Sequence, residues 1–168
     1  MNLVTIACIG KNNELGANND LIWKFKEDLQ TFRKITTGHR MVMGLNTFKS
    51  LPGLLPGRKH LVIADQEFEH PPEVEVFSSI DDFLAYAEDF INQTGEDIFV
   101  IGGGMIYKQL LPYSNKLILT EVNDTSPTST IFFPKFDKTE FTLNSSEDYI
   151  DEKTGISYSR KTYTRNKF

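Results

Sequence analysis

Four short stretches carry residue types that could do chemistry. The first is a carboxylate on an apolar face. At about 100° per residue, a helix read over 26–37 has an apolar arc holding Phe25, Leu29, Phe32 and Ile35, and Asp28 falls between Phe32 and Ile35 on that arc. Lys26, Glu27, Gln30 and Lys34 lie on the other side. Burying an unpaired carboxylate is costly. Such an acid either awaits a hydrogen-bond donor or sits in the first helical turn because the macrodipole favours it there.

The second stretch is a strand running into glycines: Phe99-Val100-Ile101-Gly102-Gly103-Gly104-Met105-Ile106-Tyr107. Glycine lets the backbone approach a ligand closely, and the amides that open a helix bind a pyrophosphate. The spacing is neither G-x-G-x-x-G nor a Walker loop, and a tight turn is the plain alternative. The third is Leu55-Pro56-Gly57-Arg58-Lys59, where an arginine after a turn is either solvated or a fork for a carboxylate. The fourth is Lys116-Leu117-Ile118-Leu119-Thr120-Glu121-Val122. Threonine is common in strands, but a hydroxyl inside a sheet needs a partner such as a buried carboxylate.

The elements that must position these residues follow from pattern. The almost continuous apolar run 3–9 reads as a central strand buried on both faces. A polar, asparagine-rich loop follows over 11–20, then the helix at 26–37, a strand at 40–44 and a short helix at 45–51. Strands are expected at 60–65 and 74–77. A helix at 79–92 has Ser79 as its N-cap and acids in its first turn. A strand at 97–101, a helix at 105–111 and a strand at 116–122 come next. Alternating strands at 140–145 and 157–164 flank a turn near 151–155. Strands alternate with helices until an antiparallel pair closes the sheet. This is an α/β fold with a mostly parallel sheet in one domain over 1–168, and ligands of such sheets bind beyond the carboxyl ends of the strands.

Composition narrows the function. The 168 residues suit one core, with 39% hydrophobic and 24% charged. A net charge of −5 leaves no basic stripe for nucleic acid. The single cysteine, Cys8, precludes an internal disulfide and reads as a buried, inert side chain. His39, His60 and His70 show no metal-ligand spacing, so no metal is expected. No apolar run approaches the roughly 20 residues of a membrane helix, and no signal-peptide pattern opens the chain. A cytoplasmic monomer is expected, without nucleic-acid or membrane partners; no heptad suggests otherwise.

The order of these stretches carries more than any one of them. Leu21-Ile22-Trp23, Asp28-Leu29 with Phe32, Met43-Gly44 with Thr47, Leu55-Pro56-Gly57-Arg58, Ile101-Gly102-Gly103-Gly104 with Tyr107, Leu119-Thr120 and Phe133-Pro134 together resemble the dihydrofolate reductase family over nearly the whole chain. The resemblance implies an eight-stranded, mostly parallel sheet with an antiparallel C-terminal strand and flanking helices. It implies hydride transfer from NADPH to dihydrofolate, the small-molecule substrate. Asp28 matches the acid that binds the pterin amine and ring nitrogen and influences proton delivery. Thr120 matches its partner, and Leu21 and Trp23 join these two as catalytic positions.

Ile6, Ala7, Leu29, Phe32, Leu51, Leu55, Ile101 and Tyr107, with Leu21, match the substrate pocket, and Arg58 matches the arginine for the substrate's glutamate α-carboxylate. The cofactor side maps onto Ala7, Gly16, Gly44, Leu45, Asn46, Thr47, Ala64, Asp65, Ser78, Ile101, Gly102, Gly103, Gly104, Met105, Ile106 and Tyr107. The stretch 12–23 matches a mobile loop that closes over the nicotinamide.

The chain departs from the family pattern in three places, two at the mobile loop and one on the cofactor side. Ile22 stands where proline is usual, and Ser129-Thr130-Ile131-Phe132 replaces a Gly-Asp-Thr segment, removing an acid expected to contact the closing loop. Around the adenosine 2′-phosphate, Leu45 and Met105 replace basic residues, Ala64 and Asp65 replace hydroxyl or basic ones, and Ser78 stands in place of lysine or arginine. An acid near a ribose 2′-hydroxyl favours NAD and repels a phosphate, so NADH use is expected beside NADPH, unless Arg40 or Lys59 compensates in space. A paralogous pyrimidine or pterin reductase and an inactive dinucleotide-binding module are the alternatives. Asp28→Asn should keep the fold and lose most turnover with dihydrofolate; an unchanged rate would remove Asp28 from its role.

Overall fold

A computed structural model gives the arrangement of residues 2–17 and 20–167. In chain order the elements are β1 (Leu3–Ile9), β2 (Glu14–Ala17), β3 (Asp20–Leu21), α1 (Lys26–Thr36), β4 (Arg40–Gly44) and α2 (Leu45–Ser50). Then come β5 (Lys59–Ile63), β6 (Glu75–Phe77), α3 (Ile80–Thr94), β7 (Ile98–Val100), α4 (Gly104–Leu110) and β8 (Lys116–Val122). The chain closes with β9 (Ile131–Phe132), β10 (Phe141–Ile150) and β11 (Ser157–Arg165).

Eight strands form one sheet in the order β10-β11-β8-β1-β7-β4-β5-β6. The six strands from β8 to β6 pair in parallel, while β11 runs antiparallel to β8 and β10 antiparallel to β11. This is the α/β architecture expected from the alternation of periods. β1 is buried along nearly its whole length because β7 and β8 flank it and both faces are covered. Helix α3 buries Phe83, Ala87 and Ile91, one residue per turn. The Ser79 hydroxyl accepts from the Asp82 amide at 3.1 Å, as its N-cap role requires, and Gly95 at φ 69° stops the helix. No helix among the described residues is long and apolar enough to cross a membrane.

Two segments differ from expectation. The loop read over 11–20 contains β2 and β3, which join β9 in a small sheet ordered β3-β2-β9. Strands of two and four residues are too short to show a period, and β2 pairs both with the adjacent β3 and with β9, more than a hundred residues away. Asn18 and Asn19 of that loop lie outside the described residues. The strand expected at 140–145 instead runs through Ile150. Its exposed Asn144-Ser145-Ser146-Glu147-Asp148 stretch has weak strand preference. Pairing with β11 holds it in place, across a bulge between Leu143 and Ser145.

A buried acid on β2 ties its own loop to the turn at Ser126. Glu14 on β2 is 2% exposed. Its Oε1 accepts from the Asn12 amide and its Oε2 from the Ser126 amide, both at 2.7 Å. The Ser129 hydroxyl and the Thr130 amide both donate to the Gly16 carbonyl. A Cβ at Gly10 would collide with the Trp23 ring and the Glu14 carboxylate, so this corner is closely packed. Burial pushes the Glu14 pKa up, but backbone amides of Ser126, Glu14 and Asn12 outweigh it and hold the carboxyl below its usual 4.5. The stability this contributes is therefore complete above about pH 4.5 and lost as pH falls through the lower folded value. Glu14→Gln should destabilise by about 1–3 kcal/mol at neutral pH. It should also flatten the fall of Tm below pH 4.5, as read by thermal melts across pH.

Candidate active site

The carboxyl ends of the parallel strands open into one cleft of about 1580 Å³. β1 delivers Ile6, Ala7 and Cys8 to it, and β8 delivers Ile118 and Thr120. Helix α1 crosses this end with Asp28, Leu29 and Phe32, and the segment after α2 adds Leu51, Leu55 and Arg58. The turns after β5, β6 and β7 bring Ala64 and Asp65, Ser78, and Gly102 to Gly104. Leu29 at 44%, Leu21 at 48% and Met105 at 66% exposure are apolar side chains facing this open space rather than core. Every residue assigned to substrate or cofactor from sequence lines the cleft.

Trp23 alone among the catalytic assignments does not line it. It is buried with Phe25, Val122 and Tyr158, and its Nε1 donates to Asp124 Oδ2 at 3.1 Å. Cys8 is half-buried and borders the cleft rather than sitting wholly in the core. Burial, and next Asp28, push its thiol pKa far up, so it is inert there.

Asp28 is the ionisable centre. Thr120 donates to its Oδ1 at 2.6 Å, and Arg160 Nη2 donates to the same oxygen at 2.8 Å. The arginine also grips Glu27 with both terminal nitrogens, at 3.0 and 2.8 Å. Tyr158 and Thr31 donate to Glu27 as well, at 2.7 and 2.6 Å. The hydrogen bond from Arg160 is the main reason the Glu27 carboxyl is held down to about 2. Burial alone would lower the Arg160 pKa, but the two carboxylates reverse that and raise it.

At the other end, Arg58 donates from Nε to the Pro56 carbonyl at 3.1 Å and from Nη1 to the Thr36 hydroxyl at 3.3 Å. It has no carboxylate partner among the described residues. Burial, and next the neighbouring Arg33, lower its pKa. His60 sets this loop. Its Nε2 accepts from the Leu55 amide at 3.0 Å, so the proton sits on Nδ1, which donates to the Arg58 carbonyl at 3.1 Å.

The glycine wall is tight. The Gly44 amide donates to the Gly102 carbonyl at 2.9 Å, and the Gly102–Gly103 bond is cis. A Cβ at Gly103 would meet the Thr47 hydroxyl at 3.3 Å, and one at Gly104 would meet the Ile131 side chain at 2.9 Å. Helices α2 and α4 begin with no side-chain cap, so their first amides have no side-chain acceptor. The Tyr107 hydroxyl donates to the Ile6 carbonyl at 2.8 Å and ties α4 to β1. Arg40 and Lys59 are engaged elsewhere: Arg40 donates to the Tyr86 hydroxyl and stacks on Phe90, and Lys59 donates to the Glu73 carbonyl. Neither lines the cleft.

A family model described as dihydrofolate reductase matches residues 2–165. The chain belongs to the dihydrofolate reductase family. It is 36% identical over 164 residues to a dihydrofolate reductase of Bacillus subtilis (strain 168), covering 95% of this chain and 92% of that protein. It is 31% identical to dihydrofolate reductase HdrB of Haloferax volcanii over 94% of this chain and 83% of that one. Among solved structures, dihydrofolate reductase from Enterococcus faecalis complexed with NADP(H) and RAB-propyl superposes with a TM-score of 0.86 at 27% identity, covering 98% of this chain and 96% of that one.

Within this dihydrofolate reductase framework, sequence reasoning missed Arg160 and the part Glu27 plays in holding it. β11 places Arg160 directly opposite Thr120, and β8 places Thr120 opposite Cys8. Only the register reveals that row; in sequence Arg160 is one polar residue in an alternating strand. His60 was set aside as a non-ligand, and it instead fixes the Arg58 loop. Burial is the main cause holding its pKa below the usual 6.5, so the unfolded chain takes up a proton that the folded one refuses. Stability is complete above about pH 6.5 and declines as pH falls through the lower folded value. His60→Ala should cost about 1–3 kcal/mol at neutral pH. It should also reduce the loss of Tm on acidification below pH 6.5, checked by melts in matched buffers.

Proposed function

We propose that this cleft reduces dihydrofolate to tetrahydrofolate with a reduced nicotinamide dinucleotide, and that it accepts NADH beside NADPH. Family membership makes the chain an oxidoreductase. The observation that carries the substrate reading is the pairing of two opposite charges at the two ends of one largely apolar cleft. Asp28 offers a compensated carboxylate at one end, and Arg58 offers a cation with no carboxylate partner among the described residues at the other. A pterin with an exocyclic amine and a glutamyl tail presents the complementary groups.

The roles follow from this geometry. Asp28 accepts from the pterin amine and adjacent ring nitrogen and orients the ring, with Thr120 fixing its carboxylate plane. Proton delivery to the ring nitrogen beside the reduced carbon runs under its field. Leu21, Leu29, Phe32, Leu51, Leu55 and Ile101 hold the ring and aminobenzoyl group and exclude water. Arg58 takes the α-carboxylate, with Arg33 adding to the local positive field.

The dinucleotide fits the opposite wall. The glycines at 44 and 102–104 keep the backbone free of side chains where it must come close, and the uncapped amides of α2 and α4 suit a pyrophosphate. When bound, the reduced nicotinamide supplies the hydride. Ala7 and Tyr107 back its ring site, and Gly16 with Leu21 covers it from the loop.

The donor choice turns on the 2′-phosphate wall. Leu45, Ala64, Asp65 and Ser78 bring no cation to it, and the Ser78 hydroxyl is engaged with Asp82 at 2.9 Å. Since Arg40 and Lys59 bind elsewhere, Asp65 stands without a compensating cation from those positions. Length and the lack of any heptad support one domain acting as a monomer, and the single cysteine supports a reducing cytoplasmic setting.

Side-by-side oxidation of NADPH and NADH with dihydrofolate as acceptor tests both parts. Turnover should occur with each donor, with kcat/KM values within about tenfold of one another, roughly one unpaired charge contact at 1.4 kcal/mol per decade. Leu45→Arg combined with Asp65→Ser should raise kcat/KM for NADPH and leave NADH nearly unchanged. A native chain that uses NADPH far better than NADH would overturn the donor reading. No turnover with either would point to a reductase of another heterocycle or to a binding module.

A further inference from the structure

Arg160 sits in the middle of β11 among residues whose pairing with β8 would serve as well without a charge. Its guanidinium carbon lies 5.0 Å from the centre of the Tyr149 ring, and its side chain is only 12% exposed. Tyr149 stacks on Tyr158, which stacks on Phe25 at the start of α1. The arginine is thus seated on an aromatic shelf and gripped by Glu27, which is itself held by Tyr158 and Thr31. It has little freedom to leave Asp28.

A carboxylate oxygen offers two lone pairs in its plane. Thr120 and Arg160 occupy Oδ1 of Asp28, and Oδ2 has no protein donor among the described residues. Glu27 is the more exposed of the two acids, at 39% against 17%, so solvent screens it more. The buried ion pair facing the cleft is Asp28 with Arg160.

We propose that Arg160 is a positioning residue that fixes the Asp28 carboxylate, leaves Oδ2 as the acceptor offered to the ligand, and biases the site toward neutral over cationic heterocycles. The inference rests on the reading of Asp28 as the pterin-binding acid. A ligand fork cannot spread its two N–H donors evenly over both oxygens, because Oδ1 is already filled. A ring that arrives protonated meets a carboxylate whose charge is partly compensated by a cation at 2.8 Å, one that Glu27 shares, and gains less than it would from a lone acid. A neutral 2-amino-4-oxo ring needs only hydrogen-bond acceptance and is not penalised in this way. Selectivity here comes from a fixed charge placed against one class of ligand.

The test compares the native chain with Arg160→Gln and Arg160→Lys. Each is checked for folding by thermal melt and for NADPH affinity by fluorescence titration. Then kcat and KM for dihydrofolate and Kd for 2,4-diaminopyrimidine, a basic ring able to bind as its cation, are measured. NADPH affinity should stay within about twofold in all three. Arg160→Gln should lose roughly tenfold to a hundredfold in kcat/KM for dihydrofolate, the worth of one hydrogen bond to a charged group. Its affinity for the diaminopyrimidine relative to dihydrofolate should rise about tenfold, one compensated charge. Arg160→Lys should restore most of both.

A loss shared equally by the two ligands, no loss at all, or no rescue by lysine would reduce Arg160 to a structural residue and overturn the proposal. If Arg160→Gln does not fold, nitrogen NMR of the native chain decides. Separate, slowly exchanging Nη signals from Arg160 that persist when diaminopyrimidine binds support the fixed clamp, and freely averaged signals overturn it. If the native chain does not turn over dihydrofolate, the function proposed above fails. The NMR result then still judges Arg160 separately, as does the diaminopyrimidine Kd of Arg160→Gln, which should be tighter than that of the native chain.

Discussion

The burial of one negative charge organises this molecule. Asp28 sits where water is partly excluded, and a carboxylate there is tolerable only if donors replace its hydration. Thr120 and Arg160 supply them from two adjacent strands, and Arg160 is in turn held by Glu27 on the helix that carries Asp28. The helix, the central parallel strands and the antiparallel C-terminal strand are therefore joined at one carboxylate. The closing hairpin does more than cover a sheet edge. Without β11 in register against β8, the acid on α1 would face the cleft with one donor.

The same rule fixes the loops around the cleft. Glu14 replaces water with backbone amides from both sides of the 10–16 turn and the 126 turn, and so pins β2 against β9. His60 uses both ring nitrogens on the segment that carries Arg58. In each case a buried polar side chain has its partners on loop backbone, and satisfying it leaves the loop few alternatives. Arg58 is the contrast: its guanidinium keeps capacity to spare and has no acid beside it among the described residues. Glu14 and His60 thus have their polar atoms satisfied by loop backbone, while Arg58 keeps donors free.

On the reading proposed above, the wall that takes the dinucleotide is built by omission. Glycines keep side chains away, and uncapped helix starts leave amides available. Where a phosphate on the ribose would need cations, the chain places Leu45, Ala64, Asp65 and Ser78, and the nearby basic residues Arg40 and Lys59 turn to Tyr86 and Glu73. The field along this wall is set by which cations are spent on structure.

Local sequence determined much of this. The 3.6-residue arc put Asp28 on the apolar side of its helix, the apolar run made β1 a central strand, and Ser79 marked the start of α3, whose end at Thr94 lies two residues beyond the expected 92. The ordered motifs from Leu21 to Pro134 carried the family, and the residues they assigned to substrate and cofactor all line the cleft. Those signals are local or lie in linear order, which is why they could be read. Only the tertiary structure decided that Arg160 faces Asp28, that Glu14 accepts from the Ser126 amide, and that Trp23 stands behind the cleft rather than in it. Each of these is a contact between side chains and distant strands or loops. Strand register and loop closure set such contacts, and neither leaves a period or a spacing in the chain.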